Sequence, residues 1–391
     1  MRNVLFLCLA IIFGGAGLAR AGEPEGQRPR MISLGRGAIQ AAVEPEKSDW
    51  NRNLAGQYLD DRAQVWFDFA AAERGVGTDK ISCVSCHGMM PYALARPALR
   101  TLSGLAQPTA LEKRIIDQTR RRVEHWQELD SKTYRLYYDF DDQKKKESWG
   151  TEAIFNALLL AVDDRVHERK SPSDSAREAL ANLWQVQLTE GDHLGSWEWL
   201  NFGLEPWESK GARFFGATLA AIAVGTAPGY YSAGADAELD RQVGLLRGYL
   251  RGQLANQNLN NRIWMLWAAT QLDGLFTKQE QANLIGAIFQ KQQPDGGWSL
   301  SSLGTKSPGG FVPDANSDGY ATGLVLHVLQ TAGVTKKDAK VAKGLSWLRS
   351  HQEITGAWRA NSVNKKRDPA SHVGKFMSDA ATAFAVLALS H

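Results

Sequence analysis

Apolar positions along this chain recur at helical spacing, and strand-like alternation is nearly absent. The stretch "DWNRNLAGQYLDDRAQVWFDFAAAE" predicts a helix from Asp49, broken at "RGVGTDK". "TALEKRIIDQTRRRVEHWQEL" predicts a second helix with a strongly basic outer face. After that the chain repeats itself. "WGTEAIFNALLLA", "GATLAAIAVG", "AATQL", "YATGLVLHVLQTAG" and "AATAFAVLALS" each read as a helix start, with Thr preceded by a small residue or Gly. All but the third continue into an apolar run. Helix pairs with one apolar face, repeated every 40 to 60 residues or roughly so, cannot bury that face alone and must stack. The expectation is an all-α fold of helical hairpins, in an open solenoid or a closed ring.

Short Gly-and-Trp loops precede three of these helices: "GSW" at Trp197, "GGW" at Trp298 and "GAW" at Trp358. The last belongs to "KGLSWLRSHQEITGAW", with Gln352, Gly356 and Trp358 at the spacing of a whole QW motif. "QQPDGGW" repeats its second half through Gln292, Gly296 and Trp298, and "QLTEGDHLGSW" is a looser copy from Gln187 to Trp197. Over residues 131–391 the chain therefore resembles the squalene-hopene cyclase and prenyltransferase repeat family. That resemblance implies an α/α-toroid in which Gln and Trp tie one hairpin to the next. A Gly lets such a loop turn tightly and a Trp can stack over the Gln amide, so these residues read as staples rather than catalysts.

The N-terminus changes the picture by suggesting export. Arg2, the apolar run "VLFLCLAIIFGGAGL" and the small-x-small site Ala19-Arg20-Ala21 predict a signal peptide over residues 1–21, cleaved after Ala21. Residues 22–47 read as a flexible leader, 48–130 as an N-terminal helical segment and 131–391 as the toroid. Taking Arg2 and Arg20 from a net charge of +3 leaves about +1. A nearly neutral chain offers no basic stripe for nucleic acid, and nothing after the signal reads as a transmembrane anchor. With Cys8 removed, only Cys83 and Cys86 remain, which is not a disulfide scaffold.

Those two cysteines lie in "CVSCH", the spelling that attaches a c-type haem. Two thiols at this spacing can form thioethers, and the adjacent His87 can serve as proximal iron ligand. "HGMMPYALARPALRTLSGL" resembles the segment that follows this motif in small cytochromes c. A short-loop disulfide, a redox pair and a zinc site are the alternatives, though no βαβ context favours the second and a ligand is missing for the third. No Met falls between Met90 and Met265 to serve as the sixth ligand. His125 is the nearest downstream histidine and a candidate distal ligand; His167 and His193 lie further on, and an open sixth position is equally compatible.

Candidate acids follow from the resemblance to class II cyclases, which protonate substrate with the middle Asp of a D-x-D-D motif. "DFDD" supplies Asp139, Asp141 and Asp142, but the following "QKKKES" must be solvated, so Asp141 reads better as an exposed turn. Aligned helix starts make Glu152 and Asp379 rival cavity acids. "GSWEWLNFGLEPWESKG" adds Glu198, Glu205 and Glu208 among Trp197, Trp199 and Trp207, as a paired-carboxylate sugar enzyme would, or as loop packing would. The Asp/Cys/His zinc site of protein prenyltransferases is missing, since no cysteine follows Cys86. Altogether the arrangement resembles an exported bacterial subgroup of the repeat family with an N-terminal c-type haem motif. Three expectations follow. One is a haem-bearing toroid in electron transfer or redox chemistry, with a redox partner protein or an apolar small molecule. Another is a cyclase-like or carbohydrate-active enzyme with a structural cysteine pair. The third is a non-catalytic binding scaffold.

Overall fold

The computed structural model describes residues 50–391, apart from 78, 130 and 306–309; the signal segment and the leader lie outside the described residues. Trp50–His391 is one compact unit. No described helix is long and apolar enough to cross a membrane.

Helix α1 (Arg52–Phe67) starts where the Asn51 side chain accepts the Leu54 N–H at 3.0 Å. It stops earlier than its sequence pattern suggests, because Asp68 caps it and Phe69 turns extended. An antiparallel ribbon follows, β1 (Glu73–Val76) with β2 (Asp79–Ser82), pairing Gly75 with Lys80. The "RGVGTDK" break is therefore a hairpin. Helix α2 (Met89–Leu102) comes next, then α3 (Ala110–Glu124), opened by a Thr109–Glu112 capping box.

The remaining helices alternate to the C-terminus: α4 (Asp142–Val166), α5 (Asp174–Gln185), α6 (Ala212–Thr226), α7 (Ala237–Gln253), α8 (Leu259–Gln271), α9 (Lys278–Gln290), α10 (Gly319–Thr331), α11 (Ala339–Ser350) and α12 (Phe376–Leu389). Even-numbered helices contact one another in order, α2 with α4, α4 with α6, and so on through α12, which returns to α2. Odd-numbered helices pack outside them. This is a closed α/α-toroid. Ring helices such as α6, α10 and α12 are apolar on all sides because they touch neighbours on all sides. Side chains fill the middle: Trp264 meets Phe215 and Phe384, and Tyr320 meets Phe384 and Trp207.

The staples are built alike. Gln292 Nε2 donates to Gly296 O and Lys340 O, both at 2.8 Å, while Trp298 Nε1 donates to Ile288 O at 2.9 Å. Gln187 does the same with Gly195 O and Gln242 O. Gln352 reaches Gly356 O and, at the same distance of 3.0 Å, Asn51 O at the start of α1. The last staple thus grips the first helix, and the ring closes on the segment 48–130. That segment supplies three helices of the toroid, the inner α2 and the outer α1 and α3. Gly356 is needed here: its φ is +88°, and a Cβ would stand 2.2 Å from Leu54 O.

The repeated threonines have a role that sequence left unexplained. Trp298 N–H donates to Thr322 Oγ1 at 2.9 Å and Trp358 N–H to Thr382 Oγ1 at 3.1 Å, tying each loop to its inner helix. "AATQL" is a correction. It ends α8 rather than opening a helix, since Asn258 caps the start and the apolar run "IWMLW" comes before it.

Candidate functional site

The connections that lead into the inner helices carry the chemistry. The motif loop precedes α2 and is pinned on three sides. Trp66 Nε1 of α1 donates to Cys83 O at 2.8 Å, Cys83 N–H donates to Ala72 O at 2.9 Å, and Gln118 of α3 accepts Ser82 N–H at 3.1 Å. Ser85 Oγ then caps α2 by accepting Met89 N–H at 3.1 Å. Cys83, Cys86 and His87 all line one small cavity of about 70 Å³, among Trp66, Tyr137 and Phe155.

His87 is clamped. Its ring stacks on Phe376 at 3.7 Å between centroids, and Trp66 meets it edge-on at 5.2 Å. Its Nδ1 is buried with no partner. Burial, then the Arg62 charge, pushes its pKa down to about 3, so the imidazole is neutral, with a proton on one ring nitrogen and a lone pair on the other. Cys86 is buried, and its Sγ donates to Glu208 Oε1 at 3.9 Å. Burial and then the Glu208 charge hold its thiol well above the ordinary range, so it is a thiol and not a reactive thiolate. Neither cysteine is in a disulfide. Among the described residues no group of three His, Cys, Asp or Glu side chains could hold a metal ion by itself.

The far side of the cavity is polar. Arg122 of α3, which is buried, forms a two-pronged ion pair with the half-buried Glu152 of α4. Glu208, on the loop before α6, shares the cavity with them, and burial raises its carboxyl to about 7. Tyr137 Oη and Asn156 Nδ2 lie against the same space, each buried without a hydrogen-bond partner.

Other candidates lie elsewhere. His125 caps the end of α3 outside the cavity lining. Both its ring nitrogens are taken, by Asp79 at 3.0 Å and Glu128 at 2.9 Å, and Tyr134 stacks on its ring. That geometry does not place His125 as a distal ligand. His167 and His193 are exposed. Asp141 is exposed too and caps α4 by accepting Lys144 N–H at 2.7 Å, so its triad of acids is a helix start. Asp379 is buried but fully engaged, with Arg62 at 2.7 and 2.8 Å and Tyr58 at 2.9 Å, at the seam between α1 and α12. Glu198 pairs with Arg213 at 2.7 Å. Trp197, Trp199 and Trp207 are all buried, each donating its Nε1 within the fold. Of the candidate acids, Glu152 and Glu208 are brought together and the rest are not.

Sequence reasoning missed Arg122, Tyr137 and Asn156. Arg122 was hidden in "TRRRVE", yet it shares a face with Ile115 and Thr119, all three buried. Asn156 is the one amide inside "AIFNALLLA".

No protein-family model matches the chain, and no curated protein matches it. Among solved structures, a glycosidase variant in complex with glucose is similar at a TM-score of 0.50 and 12% identity, over 87% of this chain and 97% of that one. A second glycosidase variant gives a TM-score of 0.49 at 12% identity, over the same shares of 87% and 97%. A possible member of the GH105 family from Salmonella enterica serovar Paratyphi A gives 0.32 at 12%, over 91% and 95%. At this identity the likeness to the first is one of fold, the α/α-toroid.

Proposed function

We propose that the cavity before α2 carries a covalently attached haem c, held by thioethers from Cys83 and Cys86 with His87 as the proximal ligand, in an exported redox protein. The observation that supports this is the convergence of both thiols and a neutral imidazole with an unpartnered Nδ1 on one aromatic-walled cavity. The donor set suits the group, whereas the enclosed space of about 70 Å³ is well below that of an ordinary cofactor site. When bound, the haem would supply one-electron redox chemistry. The chain's part is to fix the imidazole plane between Phe376 and Trp66, to keep it uncharged, and to wall the site with apolar rings. A redox partner protein, or an apolar small molecule, would exchange electrons with it.

The test is a reduced pyridine-haemochrome spectrum with intact mass, on protein exported from a host competent in c-type haem maturation. A c-type band and the mass of one covalent haem are expected, and Cys86→Ala should abolish two-bond attachment. A haem-free chain would end this reading.

A second reading, a carbohydrate-active hydrolase, is favoured by one observation: Glu208, raised to about 7, shares the cavity with Glu152. Glu208 would donate a proton to a leaving oxygen and Glu152 would act as the second carboxylate. Hydrolysis of aryl glycosides by haem-free protein, lost in Glu208→Gln, would establish it. Absence of both haem and hydrolysis would leave the binding scaffold.

A further inference from the structure

The seam of the ring carries a feature that the staples do not use. Helix α1, the loop around Ile354 and the start of α12 border a groove of about 770 Å³, within the range of ordinary ligand sites. Two of its lining side chains are spoken for, since Asp379 holds both Tyr58 and Arg62. Others are not. Gln57, Asp61 and Glu353 are exposed and Lys375 is half-buried, and none of these side chains makes a hydrogen bond or ion pair with another described residue. Arg359 is exposed and reaches only Asn361 Oδ1, at 3.5 Å. Asn361 in turn donates to Asp314 Oδ2 at 3.0 Å.

These groups select a ligand by exclusion. An anion would meet Asp61 and Glu353, with Asp314 beside the lining, and a cation would meet Arg359 and Lys375. An apolar molecule would strip water from all of these charges without pairing them. No strand lines the groove to pair with a peptide backbone, its walls are too charged for an amphipathic helix, and Tyr58 is its only aromatic residue, so the usual peptide modes are missing. What remains is a neutral molecule whose groups both donate and accept, as the hydroxyls of a sugar do. Ile354, 94% exposed, and Val65, 43% exposed, lie on the same lining and suit the C–H face of a sugar ring.

We infer that the seam groove binds a short neutral oligosaccharide, with Asp61 and Glu353 accepting from its hydroxyls and Gln57, Arg359 and Lys375 donating to them. Such a ligand touches both the first helix and the last repeat, so its binding braces the seam. The groove shares no residue with the motif cavity, and the inference stands apart from both readings of that cavity.

The experiment titrates the full exported chain with cellotriose, maltotriose and triacetylchitotriose, up to millimolar concentration, by calorimetry and by the midpoint of thermal unfolding. At least one should bind and raise the midpoint. Asp61→Asn and Glu353→Gln should each weaken that binding about tenfold, the scale of a hydrogen bond to a charged group. Ala370→Trp should abolish it with the ligand-free midpoint unchanged, because Ala370 is exposed and lines the groove. No binding of any of the three sugars overturns the inference. So does tighter binding of trigalacturonate than of the neutral sugars, which would make this an anion site. Binding that survives all three substitutions overturns it as well, and its loss in Glu208→Gln would then move the sugar to the motif cavity and the hydrolase reading.

Discussion

The seam staple at Gln352 and the motif cavity are both made where a connection enters an inner helix, yet they treat polar atoms in opposite ways. The Gln187 staple, whose Oε1 is buried without a partner, stands between them. At Gln352 the amide accepts Asn51 N–H at 2.6 Å and donates to two carbonyls, while Trp358 Nε1 donates to Leu348 O at 2.7 Å. In the cavity His87 Nδ1, Tyr137 Oη and Asn156 Nδ2 are left over. Satisfied polar atoms in a packed loop hold a fold together. Orphans around a cavity cost stability and wait for a partner.

That contrast can be broken at its strongest point first. Trp358 is fully buried, it meets Trp50 at 5.7 Å between centroids, and its loop grips α1. Trp358→Ala should cost about 3–5 kcal/mol in denaturant unfolding. Because the staple joins the last repeat to the first helix, proteolysis should then begin near α1. A loss below about 1 kcal/mol would mean that the seam does not depend on this staple.

Much of the ring was legible because its signals are local and repeated. Helical period, the Gly-x-Trp loops and the spacing of Gln352, Gly356 and Trp358 all sit within short windows. The closure was not, because it joins residues some three hundred apart: Gln352 finds Asn51, and Asp379 finds Arg62. Periodicity cannot report which helix completes a circle. The site was half legible. "CVSCH" announces itself, and Glu152 and Glu208 were visible as acids, but only the fold puts all of them on one cavity. Asp141 misled for a physical reason, since the same short acidic side chains that suit catalysis also suit helix N-caps. Arg122 misled because a run of arginines looks solvated until one of them points inward.

A smaller effect should appear in the pH dependence of stability. Glu208 is raised from 4.5 to about 7 by burial, so between those values the folded chain holds a proton that the unfolded chain has released. Stability from this group is full below pH 4.5 and falls as pH rises to about 7, by at most about 1.4 kcal/mol per pH unit. His87 works in the opposite direction. Its folded value near 3 lies below the ordinary 6.5, so stability is lost as pH falls through that window. Glu208→Gln should therefore remove the decline toward neutral pH and leave the acid-side loss in place. An unchanged slope in denaturant titrations from pH 5 to 8 would place the Glu208 carboxyl in water rather than in the cavity wall.

The smallest effect should carry the opposite sign to the first. Asn156 sits in α4 between Phe155 and Ala157, buried, with an amide donor that nothing accepts. Leucine has nearly its shape and no polar atom to desolvate. In the haem-free chain, where no ligand can repay the orphan, Asn156→Leu should be neutral or stabilising by about 1 kcal/mol, while a staple substitution such as Gln352→Ala loses a comparable amount. If Asn156→Leu instead destabilises as Gln352→Ala does, the amide has a structural partner, and the cavity wall belongs with the staples.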